Sequence, residues 1–218
     1  MNKVFHQLAP VIALDMMPKE FKDFMLSNEG DLEKLKVNAD LPDMVDKDNL
    51  VQDADIHHAH SYKLQEVDNY MKWIDGDALE RLKGLCADAH DFKAEKNIEM
   101  VKYCLGKMTH YRIDALTYPH LHRGKPWNLY HEKFETQMGK FLYDNQDKIG
   151  SITFEPYKDV YKDCRTTAID MWHKALIAVE KYESKEDLPY EEKLDICRTC
   201  IKGVGDLWLT LAKELKLI

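Results

Sequence analysis

The sequence predicts an all-α protein, with a single domain over residues 1–218 built as a multi-helix bundle. Apolar residues recur at helical spacing along most of the chain, whereas convincing strand-like alternation is absent, the best run being Ser151–Phe154. Nine Gly and seven Pro are fewer than average for 218 residues, and 32% of the residues are charged. This composition favours long amphipathic helices, because Gly and Pro are the weakest helix formers.

The N-terminal part is predicted to contain short helices followed by a loop. Pro18, the break at Asn28 and Gly30, and Pro42 divide the first 42 residues into short helical segments. From Pro42 to about Ala59, five aspartates crowd a stretch that has almost no apolar stripe. Such a stretch is typical of a loop.

Helical periodicity resumes after this acidic stretch and continues almost to the end of the chain. Pro119 closes the second of the later helices, and a short loop through Gly124 and Pro126 follows it. The predicted helices cover residues 75–92, 95–116, 128–144, 157–182 and 190–217.

The charge balance restricts the possible partners. Lys and Arg total 31 against 39 Asp and Glu, which gives a net charge of −8. A surface of this sign repels phosphate, so we expect no stable binding of nucleic acid. Chemistry on a phosphate ester would therefore require a local positive charge, and a bound divalent metal ion can supply one.

The cysteines and the start of the chain predict a cytoplasmic protein. The first apolar stretch is broken by His6, Gln7 and Pro10, so no signal peptide is predicted. No run of 18 apolar residues occurs, and a mean hydropathy of −0.53 argues against a transmembrane segment. The five cysteines are odd in number and irregularly spaced, which favours reduced thiols.

Histidines are concentrated in one part of the sequence. Eight of the ten lie between His57 and His131, and four of these fall within 22 residues: His110, His120, His122 and His131. Two have an acid four residues further on, in the pairs His110–Asp114 and His131–Glu135. On a helix such residues stack on one face, so each pair can offer a nitrogen and an oxygen to one cation.

These two pairs and His120 are predicted to converge. His110 and Asp114 lie near the end of one helix, His120 lies in the following loop, and His131 opens the next helix. Imidazole and carboxylate ligands together suit Zn²⁺. A site of this kind without thiolates, with coordination positions left for water or substrate, is typical of catalytic zinc.

The spacing resembles a known family. His110-Tyr111-x-x-Asp114, His120 six residues further on, and His131-x-x-x-Glu135 are similar to the metal core of the zinc-dependent phospholipase C and fungal single-strand nuclease superfamily. Leu41-Pro42-Asp43, His60-Ser61-Tyr62, and the early residues Met1 and His6 match further parts of the family pattern. The resemblance runs in order from residue 1 to about residue 140.

The resemblance implies an all-helical enzyme that hydrolyses phosphoric esters with three zinc ions at converging helix ends. One ion would take Asp43, His60, His110 and Asp114, with His57 or His58 as alternatives to His60. A second ion would take His120, His131 and Glu135. A third would take the amine and carbonyl of Met1, His6, and Asp114 as a bridge.

The implied mechanism is in-line attack on a phosphodiester by metal-bound hydroxide, with Asp43 as the candidate general base or as a ligand. Glu135 resembles the lipase branch, where the nuclease branch has Asp, whereas a cytoplasmic location favours a nucleotide. The substrate is therefore a phospholipid headgroup or a nucleotide. Aromatic residues near the motifs could contact it or could belong to the core: Tyr62, Tyr111, Tyr118, Trp127 and Tyr130.

Two other functions compete with this prediction. His90-Asp91, together with His57 or His58 upstream and an Asp downstream, could form the site of an HD-type phosphohydrolase. A non-catalytic helical protein could instead dock a partner through an apolar face that carries Trp208, Leu209, Leu211 and Leu215. Cys197-Arg-Thr-Cys200 is interpreted as a pair of buried structural thiols, because a second pair of ligands is missing.

Overall fold

A computed structural model of the chain describes residues 4–49, 64–67, 70–73, 78–121, 127–183 and 188–218. The described part of the chain forms nine α-helices, one antiparallel hairpin and one 3-10 turn, Gln146–Lys148. The helices are α1 (Val4–Met16), α2 (Lys19–Met25), α3 (Asp31–Asn49), α4 (Ala78–Ala94), α5 (Ile98–Asp114), α6 (Tyr118–Leu121), α7 (Trp127–Asp144), α8 (Val160–Glu183) and α9 (Tyr190–Glu214). The hairpin pairs β1 (Leu64–Val67) with β2 (Tyr70–Trp73). The predicted all-α class is confirmed.

Helix α9 supplies much of the hydrophobic core. Its buried side chains recur every three or four residues, which is why this segment forms an amphipathic helix. Trp208 is fully buried, its ring centroid lies 5.7 Å from that of Phe21, and its indole N–H donates to the Leu105 carbonyl at 2.8 Å. Leu211 and Leu215 are buried in the same core. This apolar face is therefore not free to dock a partner.

The cysteine pair of α9 lies inside the same core. Cys197 and Cys200 are fully buried, and all five cysteines of the chain are free thiols. Burial raises the pKa of Cys197 to about 12, and it raises that of Cys200 well above its usual value. These thiols remain protonated at neutral pH, as expected of structural side chains.

Helices α3 and α5 pack side by side. Their contacts follow the same order along both helices, which shows that the two helices run in the same direction. Facing residues are spaced four apart, so they form one row on each helix. The α3 row is Asp31, Leu35, Ala39 and Asp43, and the α5 row is Lys102, Gly106, His110 and Asp114. The two rows carry an ion pair at one end and several predicted metal ligands at the other.

The ion pair joins the first turn of α3 to the second turn of α5. Lys102 Nζ lies 2.6 Å from Asp31 Oδ2 and also donates to Ser27 Oγ at 2.7 Å, while the Asn28 backbone N–H donates to Asp31 at 2.8 Å. The chain turns into α3 through Gly30, whose φ of 81° suits a residue without a side chain. Burial of Asp31 opposes its ionisation, but these bonds outweigh burial and lower the pKa of the carboxyl group.

Three local predictions are wrong. The predicted loop after Pro42 is helical over residues 42–49, because α3 continues through this proline; residues 50–59 lie outside the described residues. Ser151–Phe154 forms no strand, and the hairpin of β1 and β2 was not predicted, since its four-residue strands are too short for clear alternation. His120 lies in α6 rather than in a loop, because Pro119 is tolerated in the first turn of a helix.

None of the described helices combines the length and the apolar character needed to cross a lipid bilayer.

Candidate metal centre

Helix α5 places the central pair of the cluster. His110 and Asp114 are one turn apart, 1% and 0% exposed, and His110 Nε2 lies 3.4 Å from Asp114 Oδ2. A fully buried carboxylate is costly unless positive or polar groups surround it. Asp114 has such groups on several sides, because two further imidazoles approach its Oδ1.

The first of these imidazoles comes from α1. His6 is 3% exposed, and its Nε2 lies 3.4 Å from Asp114 Oδ1 and 3.9 Å from Glu135 Oε1. Its ring stacks on that of His110, with centroids 4.1 Å apart and an interplanar angle of 20°. Stacking therefore fixes two imidazole edges side by side toward one carboxylate.

Helix α3 supplies the second partner of His110. Asp43 Oδ1 lies 3.4 Å from His110 Nε2. The other ring nitrogen, Nδ1, donates to the Ala39 carbonyl at 2.9 Å. A carbonyl oxygen can only accept, so Nδ1 carries the proton in neutral His110 and Nε2 presents its lone pair to the cluster.

Helices α6 and α7 supply the other imidazoles. His120 Nε2 lies 3.3 Å from both Asp114 Oδ1 and Glu135 Oε1. His131 Nε2 lies 2.7 Å from Glu135 Oε1 and 2.9 Å from His120 Nε2. Asp114 therefore connects the α1 and α5 imidazoles to the α6 and α7 group.

The structure brings together seven of the nine predicted ligands: His6, Asp43, His110, Asp114, His120, His131 and Glu135. Met1 and His60, and the alternatives His57 and His58, lie outside the described residues. Within the cluster, the ligand atoms of His6, His110 and Asp114 lie within 4.8 Å of one another, as do those of His120, His131 and Glu135.

The electrostatics reflect the crowding of charge. Burial opposes ionisation of Glu135 and Asp43, yet the imidazole contacts prevail and hold the pKa of Glu135 well below its usual range and that of Asp43 below its own. Burial also opposes protonation of His6, but contacts with Glu135 and Asp114 raise its pKa to about 9. Burial lowers the pKa of His120, whereas the Glu135 carboxylate raises that of His131 against the effect of burial.

The separations suit a coordinated ion. Zinc binds nitrogen and oxygen at about 2.0 to 2.1 Å, and a tetrahedron with such arms has edges of about 3.3 to 3.4 Å. Five nitrogen-to-oxygen separations in the cluster are 3.3 or 3.4 Å. Charge-assisted hydrogen bonds are shorter, at about 2.7 to 2.9 Å. The donor set and these five spacings fit zinc, whereas His131 Nε2 lies at direct hydrogen-bond distance from Glu135 Oε1 (2.7 Å) and from His120 Nε2 (2.9 Å).

Other candidate residues lie away from this cluster. His90 and Asp91 are exposed on α4, and His90 Nε2 lies 3.3 Å from Glu214. Tyr111 and Tyr118 are buried, so they belong to the core. Tyr62 and His122 lie outside the described residues, and the structure does not describe the side chains of Trp127 and Tyr130. His173 is exposed beside the Trp172 ring.

Sequence reasoning missed two backbone features of the site. The Ala39 carbonyl orients His110, and Gly106 lies one turn before His110 where α5 meets α3. The signal for Gly106 was its position four residues before His110, within a predicted helix. No sequence signal identifies a particular carbonyl, because every residue has one.

Solved structures with the same fold are known. The chain is similar to the alpha toxin of Clostridium absonum, with 17% identity, a TM-score of 0.59, and coverage of 97% of this chain and 63% of that one. It is also similar to the alpha-toxin of Clostridium perfringens from avian strain SWCP, with 17% identity, a TM-score of 0.52, and coverage of 96% and 63%. The chain thus spans less than two thirds of each toxin, and at this identity the likeness shows the fold alone.

No protein-family model matches the sequence, and comparison with curated proteins finds no match.

Proposed function

We propose that this chain is a zinc-dependent phosphoric ester hydrolase, similar to phospholipase C, that acts on a phosphodiester. The observation that carries the proposal is the convergence of four imidazole Nε2 atoms on three carboxylates, with five separations of 3.3 or 3.4 Å. Side chains from α1, α3, α5, α6 and α7 meet there. A core that served stability alone would fill this space with apolar groups.

The proposed ligand sets follow the family pattern. Asp43, His110 and Asp114 would hold one ion together with His60, and His120, His131 and Glu135 would hold a second. His6 would hold a third ion with Met1, while Asp114 bridges. Asp114 is suited to bridging because its Oδ1 faces His6 and His120 and its Oδ2 faces His110.

Bound zinc would supply Lewis acidity toward phosphoryl oxygens and would lower the pKa of water in the site. The chain's own groups would orient the reactants. Asp43 and His131 are the most exposed of the seven side chains, at 21% and 32%, so substrate reaches the cluster beside them. The ionised Asp43 carboxylate would accept a proton from the attacking water.

A lipid phosphodiester is the favoured substrate. Glu135 matches the lipase branch of the family resemblance, and the all-helical fold is shared with the alpha toxins. The net charge of −8 disfavours a long polyanion such as a nucleic acid. A small nucleotide diester is the alternative.

The five free thiols fit the proposed cytoplasmic location, which fractionation with a tagged chain would test.

The test combines metal analysis with a substrate panel. We expect the purified full chain to contain zinc and to hydrolyse phosphatidylcholine in mixed micelles faster than a dinucleotide or a phosphomonoester. Chelator should abolish this activity and added Zn²⁺ should restore it. Less than one zinc per chain, or activity unchanged by chelator, would contradict the proposal, and preference for the dinucleotide would select the alternative substrate.

A terminal extension tests the third ion. Residues added before Met1 should lower the zinc content and the activity, because they would convert the amine that the proposal assigns to the metal into a peptide nitrogen. Equal zinc content and activity in the extended and the parent chain would refute the role of Met1 while leaving the other two ligand sets untouched.

A further inference from the structure

Helices α3 and α5 approach each other closely at Gly106. A Cβ atom built on Gly106 would lie 2.7 Å from Asn38 Cβ, closer than such atoms approach in proteins. Asn38 Cβ is bonded directly to the backbone of α3, so it cannot rotate away. Any side chain at position 106 would therefore push the two helices apart.

The close approach lies next to the bond that orients His110. Ala39 follows Asn38 on α3, and His110 is one turn beyond Gly106 on α5. At the present helix separation the His110 Nδ1–H donates to the Ala39 carbonyl at 2.9 Å. One turn further along α3, Asp43 Oδ1 lies 3.4 Å from His110 Nε2. Both contacts span the interface, and both depend on its width.

We propose that Gly106 is a positioning residue of the metal centre. By having no side chain it sets the distance between α3 and α5, which keeps the Ala39 carbonyl on His110 Nδ1 and leaves the Nε2 lone pair directed at Asp43 and Asp114. Hydrogen bonds of this kind fix the tautomer and the orientation of a ligand histidine. The inference rests on the proposed function, because it assigns Gly106 to a site that holds metal.

The chain offers a matched control on the neighbouring helix. Gly84 is also a mid-helix glycine, in α4, but a Cβ built on it meets nothing within 4 Å. Gly84→Ala therefore makes the same chemical change without pressing on another helix. Asn38→Gly offers a rescue, because it removes the atom against which a new Cβ at position 106 would press.

The experiment measures zinc in the full chain by competition with a chromophoric chelator, and the His110 tautomer by ¹⁵N NMR after the zinc has been removed. We expect Gly106→Ala to weaken the binding of one zinc ion by about 10- to 100-fold. It should also reduce the Nδ1–H signal of His110. Gly84→Ala and Asn38→Gly should bind zinc like the parent, and Gly106→Ala with Asn38→Gly should recover most of the lost affinity.

Three results would overturn the proposal: parent-like zinc affinity in Gly106→Ala, no recovery in the double variant, or an Nε2–H tautomer of His110 in the parent. If Gly106→Ala alone does not fold, as judged by circular dichroism, the double variant must fold and bind zinc, and its failure would also overturn the proposal. A parent without zinc would contradict the proposed function, and the His110 tautomer in parent and variant would then decide the role of Gly106.

Discussion

The two ends of the α3–α5 interface bury carboxylates in different ways. At the Asp31 end, an ammonium group meets the carboxylate at 2.6 Å, and a backbone N–H donates to the same carboxylate. At the Asp114 end, three imidazole nitrogens surround the carboxylate at 3.3 or 3.4 Å. The first arrangement is complete without any ligand. The second has donors and separations that suit a cation, which the first lacks.

The largest expected effect concerns the Asp114 end. Asp114→Asn should reduce phosphodiester hydrolysis by more than about 100-fold, since loss of a group that merely supports a ligand already costs up to that factor in metal affinity or activity. Zinc content and initial rates measure the effect. Asp91→Ala is the control, because Asp91 is exposed on α4. Loss of activity in Asp91→Ala with retention in Asp114→Asn would favour the HD-type alternative.

The Asp31 end should respond in stability alone. Asp31→Asn leaves the buried Lys102 ammonium without its closest carboxylate, so the free energy of unfolding should fall by about 3 kcal/mol. Urea denaturation measures the change, and zinc content should stay at the parent level. Asp23→Asn removes an exposed ion pair with Lys19 and should cost less than about 1 kcal/mol. Loss of zinc in Asp31→Asn would show that the two ends are not independent.

Zinc should stabilise the chain through the Asp114 end. When the free zinc concentration is 100 times the dissociation constant, binding to the folded chain adds about 2.7 kcal/mol to the free energy of unfolding. Urea denaturation with and without chelator measures this difference. It should persist in Asp31→Asn and disappear in Asp114→Asn, and a zinc effect of equal size in both variants would contradict the assignment of the cluster.

Acid should weaken the Asp31 end selectively. The pKa of Asp31 is lowered in the folded chain, so its contribution to stability is present above the unfolded value of about 3.9 and is lost as pH falls through the lower folded value. The stability gap between the parent and Asp31→Asn should be constant from pH 7 to 5 and narrow below about pH 4. A gap that stays constant down to pH 2 would contradict the role of the ionised carboxylate.

The parts of the site that follow from local periodicity could be predicted from the sequence. His110 with Asp114, and His131 with Glu135, face one cluster because residues four apart on a helix share a face. The convergence of these pairs with His120 followed from short connections between helices. The assignment of ions to ligands stays a prediction, as do the roles of Met1 and His60.

Features that depend on distant packing could not be predicted. Local residue preferences favoured a loop after Pro42, but α3 continues through the proline and carries Asp43 toward His110. The importance of Gly106 arises from Asn38, which is far away in sequence and becomes a neighbour once α3 lies against α5. Tyr111 and Tyr118, candidates for substrate contact, pack in the core because neighbouring helices cover them.

The four-residue spacing of the two facing rows limits how the length of these helices can change. One residue inserted in α5 between Lys102 and His110 would rotate everything beyond it by about 100° around the helix axis. The ion pair between Lys102 and Asp31 could then be kept only if the His110 and Asp114 side chains turned away from α1 and α3. Related sequences should therefore differ in length only outside the segments from Asp31 to Asp43 and from Lys102 to Asp114. Single substitutions within these two segments should be tolerated more readily than insertions or deletions.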